Sequence, residues 1–503
     1  MKKIVSFLLM FLLSLIFIAC QETTEDLTST TTTQTTMAEI TTAEWTYTQI
    51  PDNLTYGEKV SLFDNAYNIA LFVTDDLTTS IGINFELSSA TKGFVEYKIL
   101  DSDEVLIEEA IYKSTLVGKK TVHHYELVLD ELLPNTTYEY RVRNEASDEV
   151  SDVHQFKTKE DNPSEFSFMF LADPQENSVL GYMAYSYALM NALDEINEEP
   201  SFMMFVGDIV NDADIRSEWD NFFTYSSPFI YNIPIMATAG NHDIAGISGT
   251  RMTNFEFDGY FNLPNNGPMY TPFDEIENDA RPANFDDGKT YSFNYDNTHF
   301  VAINTETLCD ATTTCSTNDT TNVALLKAWL NNDLSSHSMK WTIVFLHRGP
   351  YTLSYDTYKV REELVPIFEA HDVDLVISGH DHQYSRSIYQ AGNLIEFNRS
   401  DIYNLGTLSL ISSTETDYHF NDYNPSIGVT YLVGNTSGTK YYGGEKNSGI
   451  SVHYAFIESN PVIPYITITD STIEVVSYGL VRTSEFQLEV EGIYILESFT
   501  LRK

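Results

Sequence analysis

Residues 233–243 read IPIMATAGNHD, an apolar run of strand length that ends in a glycine followed by polar side chains. Other apolar runs also end in polar residues: FSFMFLADPQ at residues 166–175, MMFVGD at 203–208, WTIVFLHR at 341–348 and VDLVISGHDH at 373–382. Helical stretches alternate with them, most clearly at residues 179–196, 323–334 and 358–364, and we expect Pro366 to end or kink the last. Alternating strands and helices predict an α/β fold with buried central strands.

The polar residues that follow these runs predict a metal site. The carboxyl ends of strands in an α/β sheet meet at one edge, where sites form. The side chains expected there are Asp173, Asp208, Asn241, His347, His380 and His382. Carboxylate, amide and imidazole ligands together suit Mn, Fe or Zn. Such a set exceeds the needs of one ion, so we expect two transition-metal ions that share a bridging carboxylate.

Residues 45–160 follow a different pattern. Alternating runs at residues 80–87, 94–99 and 138–143 are separated by turn residues and predict a small all-β antiparallel sandwich. The segment LPNTTY at residues 133–138, followed by YRV at 140–142, resembles the loop and penultimate strand of a fibronectin type III domain. We find no catalytic cluster in this part of the sequence.

The order of the strand-end motifs resembles the calcineurin-like metallophosphoesterases. The preceding sandwich makes the chain most similar to the purple acid phosphatase-like members of that superfamily. The resemblance implies a four-layer α-β-β-α sandwich at residues 161–503, with two facing sheets flanked by helices, after a fibronectin type III-like domain at residues 45–160. Both domain boundaries are expectations from the sequence.

The resemblance also implies a role for each site residue. Asp208 would bridge the two ions. Asp173 and His382 would hold the first ion, and Asn241, His347 and His380 the second. His242 would face the substrate phosphate, and we expect Asp243 to orient it. Arg348 is a candidate to bind a phosphate oxygen, although a plain surface salt bridge explains it equally well.

Two positions depart from the pattern that the resemblance leads us to expect. Purple acid phosphatases have a tyrosine three residues after the bridging aspartate, where this chain has Asn211, so ferric iron is less secure. Many other members have a histidine two residues after the first aspartate, where this chain has Gln175. Gln175 and Asn211 are therefore weaker candidate ligands of the first ion, and Gln175 would bind it directly or through water.

The expected activity is acid phosphatase-like hydrolysis of small phosphate monoesters. Two ions about 3.5–4 Å apart clamp a phosphoryl group and generate a hydroxide for in-line attack. A phosphodiesterase or nucleotide hydrolase with the same ions stays open, because loops such as residues 244–290 would select the leaving group. A non-catalytic surface protein that binds another protein is the third alternative.

The N-terminus predicts export. Lys2 and Lys3 precede apolar residues 4–19, a run shorter than the about 20 residues of a membrane span and typical of an export signal. Residues 17–20, FIAC, resemble a bacterial lipoprotein processing box, which implies a lipid on Cys20 and a bacterial membrane surface as the location. Ordinary signal cleavage and an uncleaved anchor stay open. The Thr-rich residues 21–44 predict a solvated tether.

Composition limits the partners. The chain has 73 acidic and 28 basic residues, a net charge of −45, and 42% hydrophobic residues, enough to bury real cores. This charge argues against nucleic acid or anionic lipid as an electrostatic partner and requires local cations for any phosphate chemistry. Cys309 and Cys315 lie in a Thr-rich stretch and, outside the cytoplasm, predict a small loop disulfide.

Overall fold

The computed structural model describes Trp45 and most of residues 66–503. The gaps are residues 118–119, 245–254, 273–288, 310–319, 395–418, 424–427, 443–449, 451, 453, 457–458, 483–487 and 489. The predicted export signal with Cys20, the tether at residues 21–44 and Cys315 lie outside the described residues. Cys309 is disulfide-bonded, and its pairing with Cys315 stays a prediction.

Residues 66–158 form an all-β sandwich. Its strands are β1 (Ala70–Phe72), β2 (Ile81–Leu87), β3 (Gly93–Ile99), β4 (Leu106–Glu109), β5 (Ile111–Val117), β6 (Lys120–Leu129), β7 (Thr137–Asn144) and β8 (His154–Lys157). One sheet has the order β1-β2-β6-β5, and the other has the order β4-β3-β7-β8. Alternate side chains of each strand face inward, so Phe85 and Tyr125 of the first sheet share a core with Val95 and Tyr140 of the second.

Strands and helices alternate over most of the rest of the chain, before the strands of its C-terminal part. The elements are β9 (Glu165–Leu171), α1 (Val179–Ile196), β10 (Phe202–Phe205), α2 (Arg216–Ile230), β11 (Ile235–Ala237), α3 (Phe255–Tyr260), β12 (Tyr291–Tyr295), β13 (Thr298–Ile303), α4 (Glu306–Cys309), α5 (Thr320–Ser336), β14 (Trp341–Arg348), α6 (Tyr358–Ala370), β15 (Leu375–Gly379), β16 (Tyr384–Gln390), β17 (Asn393–Leu394), β18 (His419–Tyr423), β19 (Val429–Val433), β20 (Tyr454–Phe456), β21 (Val462–Thr469), β22 (Thr472–Val481) and β23 (Gly492–Arg502).

These elements build four layers. Parallel strands β9, β10 and β11 belong to one sheet, and parallel strands β13, β14, β15 and β19 belong to a second. The two sheets face each other across an aromatic core, in which the Phe300 ring lies 5.5 Å from Phe168 and 5.4 Å from Phe202. Helices α1 and α2 cover the outer face of the first sheet, and α5 and α6 that of the second. The predicted α-β-β-α fold is confirmed.

The sandwich continues into the first of these sheets. Strand β1 pairs in parallel with β11, with Phe72 opposite Ile235, and the Val73 amide donates to the Ile235 carbonyl at 3.0 Å. The sheet therefore runs from β18 through β9, β10 and β11 to β5, across the expected boundary at residue 160. On the sheet's junction with α2, the Arg216 guanidinium bonds Glu86 of β2 at 3.1 Å. Residues 43–503 accordingly form a single compact unit.

Helix α6 differs from its predicted end. It passes through Pro366 and continues to Ala370, because Leu364, Ile367 and Phe368 are buried against the second sheet on both sides of the proline. That burial offsets the backbone hydrogen bond that proline cannot donate. None of the helices in the described part of the chain combines the length and the hydropathy needed to cross a membrane.

Candidate metal centre

The strand-end residues of the two sheets meet at one place. Asp173 follows β9, Asp208 follows β10, His347 lies in the last part of β14, and His380 and His382 follow β15. All five side chains are buried, with at most 7% of each residue exposed. The parallel strands bring them together because their carboxyl ends open at the same edge.

Two groups of ligand atoms share one carboxylate. Asp208, His347 and His380 each offer an atom within 4.8 Å of the others, and so do Asp173, Asp208 and His382. Asp208 Oδ1 lies 3.3 Å from His347 Nε2, and Asp173 Oδ1 lies 3.4 Å from His382 Nε2. Asp208 is the member common to both groups, which is the arrangement that a carboxylate bridging two ions requires.

Neighbouring carbonyl groups orient two of the imidazoles. His347 Nδ1 donates to the Val206 carbonyl at 2.9 Å, and His382 Nδ1 donates to the Lys440 carbonyl. Each bond fixes the ring so that Nε2 faces a carboxylate of the site. Hydrogen bonding of the second ring nitrogen is how metal-binding histidines are usually held in their ligating tautomer.

Two buried polar atoms that make no hydrogen bond indicate whether a metal ion fits this site. Asn241 Oδ1 and His347 Nε2 are buried atoms with no hydrogen bond of acceptable geometry. Asn241 is held beside Asp208, because the next residue, His242, donates its backbone N–H to Asp208 Oδ1 at 2.9 Å. Buried polar atoms without partners are costly in the absence of a ligand. An amide oxygen and an imidazole nitrogen next to carboxylates fit a transition-metal ion.

The backbone at the site is unusual. Asp173, Asp208, His380 and His382 all have positive φ angles between 47° and 65°. Non-glycine residues seldom adopt this region, and such conformations collect at functional sites. Gly207 has a φ of +89°, and a Cβ there would lie 2.5 Å from His347 Nδ1. The glycine thus allows both the turn out of β10 and the close approach of His347.

The charges of the site call for a cation. Burial would raise the pKa of Asp208, but His347 outweighs this effect and holds it well below its usual range. Burial lowers and Asp208 raises the pKa of His347, which reaches about 9. Burial raises the pKa of Asp173 well above its usual value, so no protein cation fully compensates this second carboxylate. Burial lowers the pKa of His382 to about 3, which keeps its imidazole neutral and able to bind a metal.

The structure corrects the expected partner of His242. Asp243 was expected to orient this ring, but its Oδ1 accepts from the backbone N–H of Ile209 at 2.8 Å and its Oδ2 from that of Gly240 at 2.8 Å. His242 Nδ1 instead donates to the Asn211 carbonyl at 2.6 Å. Buried Asp243 therefore joins the loops after β10 and β11, since backbone amides satisfy its carboxylate.

Arg348 is committed to a buried ion pair. Its Nε donates to Glu306 Oε1 at 2.6 Å and its Nη2 to Glu306 Oε2 at 3.2 Å, and Arg348 is only 1% exposed. Its Nη1 lies 3.3 Å from His380 Nε2. The predicted alternative, a surface salt bridge, is thus wrong about the location, because the ion pair of Arg348 and Glu306 is buried. The arrangement supports a role in positioning His380 rather than in binding a phosphate oxygen.

Gln175 and Asn211 both contact a residue that the sequence did not single out. Lys440 Nζ donates to Gln175 Oε1 at 2.8 Å and to Asn211 Oδ1 at 3.4 Å. The Gln175 amide nitrogen lies 2.9 Å from Asp208 Oδ2 and 3.1 Å from His382 Nε2. The structure therefore turns the nitrogen of Gln175, and not the oxygen that a metal would need, toward Asp208 and His382, which are expected to hold the first ion.

The loop after β19 and the loop after β14 complete the surroundings of the site. The Tyr442 ring lies 4.3 Å from the His382 ring, and the Tyr355 ring lies 4.9 Å from the His380 ring. We missed Lys440 and Tyr442 because residues 434–442 lack the Asp and His residues that marked the other strand ends, and we missed Tyr355 because it lies several residues beyond His347. The signal was nevertheless present, since β19 is a parallel strand whose carboxyl end opens toward the same edge.

Two protein families match parts of the chain. Residues 66–158 match the family "Purple acid Phosphatase, N-terminal domain", and residues 149–384 match the family "Calcineurin-like phosphoesterase". A solved structure of the purple acid phosphatase PPD1 from yellow lupin superposes with a TM-score of 0.60 at 16% identity, over 86% of this chain and 74% of that chain. At this identity the superposition is a likeness of fold.

Curated relatives from Arabidopsis thaliana have the same family names. Purple acid phosphatase 23 is 23% identical over 53% of this chain and 57% of its own length. Probable inactive purple acid phosphatase 1 is 25% identical over 52% of this chain and 44% of its own length. The chain thus spans about half the length of the curated relatives it matches. From the matched families and the observed fold, the chain has a purple acid phosphatase N-terminal domain that is followed by a calcineurin-like phosphoesterase domain.

Proposed function

We propose that this protein is a binuclear metal-dependent phosphoric ester hydrolase that acts on small phosphate monoesters. The observation that carries the proposal is Asp208, which belongs to both groups of ligand atoms within 4.8 Å. The buried Oδ1 of Asn241, which has no hydrogen-bond partner, and the buried Nε2 of His347, which faces the Asp208 carboxylate, support it. Two ions bound at such a site polarise a phosphoryl oxygen and lower the pKa of water toward neutrality.

Different side chains would bind the two ions and transfer a proton to the leaving group. In this proposal Asp173, Asp208 and His382 hold the first ion, and Asn241, His347 and His380 hold the second together with Asp208. The mixed oxygen and nitrogen ligands suit Mn, Fe or Zn ions. Arg348 contacts His380 Nε2 through its Nη1 and so positions the ring, and Glu306 compensates the charge of Arg348.

His242 is the candidate general acid. Its Nδ1 proton is engaged with the Asn211 carbonyl, so its Nε2 is the atom that can serve the substrate. When protonated, Nε2–H donates to the oxygen of the leaving group as the bond from phosphorus to that oxygen breaks. Such proton transfer contributes roughly 10²–10⁴-fold to the rate.

The relatives include proteins named as purple acid phosphatases and one named as a probable inactive purple acid phosphatase, so the experiment measures whether this protein hydrolyses phosphate esters. Purified protein is assayed with chromogenic phosphate monoesters and diesters, with and without a chelator. We expect turnover of the monoester that stops with chelator and returns when Mn, Fe or Zn is added. Faster turnover of the diester would favour a phosphodiesterase, and no turnover of either with metal bound would favour a non-catalytic binding protein.

We also propose that the protein is exported and held at a bacterial membrane by a lipid on Cys20. The support is the sequence alone, with its lysines, its apolar run and the FIAC segment before a Thr-rich tether. Mass spectrometry of the mature N-terminus should find a lipidated cysteine. Release of a Cys20→Ser variant from the membrane fraction is the expected outcome, and an unmodified mature terminus elsewhere would refute the lipid anchor.

A further inference from the structure

Lys440 lies at the metal centre without an assigned role. Its Nζ donates to the amide oxygens of Gln175 at 2.8 Å and Asn211 at 3.4 Å, while its backbone carbonyl accepts from His382 Nδ1. The side chain is partly exposed, unlike the buried ligands around it. Lys440 therefore contacts His382 through its backbone carbonyl and reaches Asp208 through the Gln175 amide, while its own side chain stays partly accessible to solvent.

Lysine fixes the orientation of the Gln175 amide. An ammonium group only donates hydrogen bonds, so the oxygen of Gln175 must face Lys440. The amide nitrogen then faces Asp208 Oδ2 at 2.9 Å. Turning the amide over would place its N–H groups against the ammonium of Lys440. Gln175 thus donates to a ligand carboxylate, and Lys440 is the group that keeps it in this position.

Lys440 makes no direct ion pair with the acidic side chains of the described residues, and both acceptors of its Nζ are neutral amides. Its charge acts at longer range, where it lowers the pKa of the Asp173, Glu176 and Glu218 carboxyls against the effect of their burial. An ammonium has three N–H donors, so one remains after these two bonds. Arg348 differs in this respect, because Glu306 occupies its guanidinium and the pair is buried. Lys440 is accordingly a cation of this site that keeps an N–H donor for an anion, as far as the described residues show.

The position of Lys440 affects phosphate monoesters and diesters differently, because they carry different charges. A phosphate monoester carries a charge of about −1.5 to −2 at pH 7, whereas a diester carries a single negative charge. The attraction to a fixed cation scales with the charge of the anion, and the net charge of −45 repels anions elsewhere on the chain. A lysine beside the ions therefore helps the more highly charged substrate more.

We propose that Lys440 binds a non-bridging phosphoryl oxygen of the substrate and favours phosphate monoesters over diesters. This inference rests on the proposed function, whose site it deepens. Lys440 would act on substrate directly, whereas Gln175 would act through the Asp208 carboxylate as a positioning residue.

The test compares three variants of the full chain after metal loading. Lys440→Met removes the charge, Lys440→Arg keeps it, and Lys327→Met removes the same charge from a surface ion pair with Glu363. Bound metal is measured by elemental analysis and the dissociation constant of inorganic phosphate by calorimetry. The kcat/KM values of a monoester and a diester are measured in parallel.

We expect Lys440→Met to keep its metal and to bind inorganic phosphate about tenfold or more weakly, since a hydrogen bond to a charged group is lost. Its kcat/KM should fall more for the monoester than for the diester. Lys440→Arg should recover part of both losses, and Lys327→Met should match the wild type.

Three results would overturn the inference. Unchanged phosphate binding in Lys440→Met would remove Lys440 from the substrate site. Equal losses for monoester and diester would refute its role in selectivity. Loss of metal from this variant would mean that Lys440 acts through His382 and Gln175. A wild-type protein that holds metal but hydrolyses neither ester would instead contradict the proposed function, and with it this inference.

Discussion

At the residue scale, the candidate centre is held in a conformation that its residues do not prefer. Asp173, Asp208, His380 and His382 have positive φ angles, each at a cost of about 1–3 kcal/mol. Hydrogen bonds help to impose this geometry, for example the two from the His380 backbone N–H to the Asp173 carboxylate at 3.1 and 2.9 Å. Such hydrogen bonds within the protein restrain the ligand atoms, which reduces the entropic cost of ordering them when an ion binds.

His242 gives the first prediction. His242→Asn keeps a donor for the Asn211 carbonyl but removes the Nε2 proton, so kcat should fall by roughly 10²–10⁴-fold while bound metal stays unchanged. Steady-state kinetics and elemental analysis measure the two quantities. His371→Asn, a change at a partly exposed histidine that contacts Asn331 outside the site, is the control and should behave as wild type. A His242→Asn variant with wild-type kcat would exclude the general-acid role.

The sequence was informative about which residues meet, and less so about their partners. Asp208 and His380 were identified because a polar residue after a buried parallel strand must lie at the sheet edge. The partner of Asp243 depended on how the loops after β10 and β11 fold back, and no periodic pattern records that path. Lys440 was overlooked because it follows β19 by several residues of a Thr- and Gly-rich loop.

At the element scale, the sequence predicted α1 with the bounds that the structure has, Val179–Ile196. Ser178 caps this helix by accepting from the Gly181 backbone N–H, which makes its start visible in the sequence. Helix α2 was missed, because it contains Pro228 and starts at a charged residue. Burial of Trp219 and Phe222 against the first sheet stabilises it, and such tertiary packing is not a local signal.

Gly207 gives the prediction at this scale. Gly207→Ala should lower the free energy of unfolding by about 1–3 kcal/mol, because the residue has a φ of +89° and a Cβ would lie 2.5 Å from His347 Nδ1. It should also weaken metal binding by displacing His347. Urea denaturation and metal titration measure these effects.

Gly392→Ala separates the two causes. Gly392 has a φ of +74°, but a Cβ added there would meet no atom within 4 Å, so its substitution carries only the backbone cost of roughly 1 kcal/mol. Its metal affinity should equal that of the wild type. If Gly207→Ala also bound metal normally, the close approach to His347 would be unimportant for the centre.

At the scale of the whole molecule, the sandwich and the phosphoesterase layers share a sheet. The sequence predicted both architectures but not their connection, since alternation shows which face of a strand is buried and not which strand lies beside it. The pairing of Phe72 with Ile235 joins positions far apart in the chain. The Glu86–Arg216 contact adds a second, polar connection across the same junction.

This shared sheet predicts cooperative unfolding. A chain that begins at residue 161 would expose the edge of β11 and leave Arg216 without Glu86, so it should be less soluble and unfold at lower urea concentration than a chain that begins at residue 45. The longer chain should show a single transition by tryptophan fluorescence and by hydrogen exchange. Two separate transitions, with residues 161–503 stable alone, would show that the sheet contact contributes little.

His124 gives a pH prediction for the same junction. Burial, with the positive charges of Arg216 and Lys113, lowers its pKa to about 3, and its ring lies 4.8 Å from the Tyr260 ring of α3. The unfolded chain binds a proton near pH 6.5, so stability is present above that pH and is lost as the pH falls toward 3.

Replacing His124 removes this pH dependence. Between pH 7 and pH 4 the wild type should lose on the order of 3 kcal/mol more stability than His124→Gln, which cannot titrate. Urea midpoints across this range measure the difference, and His371→Gln, at a partly exposed position, is the control. Parallel pH profiles for wild type and His124→Gln would mean that His124 does not remain neutral in the folded state.

The metal content of each chain tests most directly whether Asp208 joins two ions. Full-length protein is loaded with Mn, Fe or Zn, freed of excess metal and analysed for bound ions per chain. We expect two ions in the wild type and in Asp470→Asn, a change at an exposed surface aspartate, and loss of both ions and of turnover in Asp208→Ala. A wild-type chain that binds no ion, or an Asp208→Ala chain that keeps two, would contradict the binuclear centre.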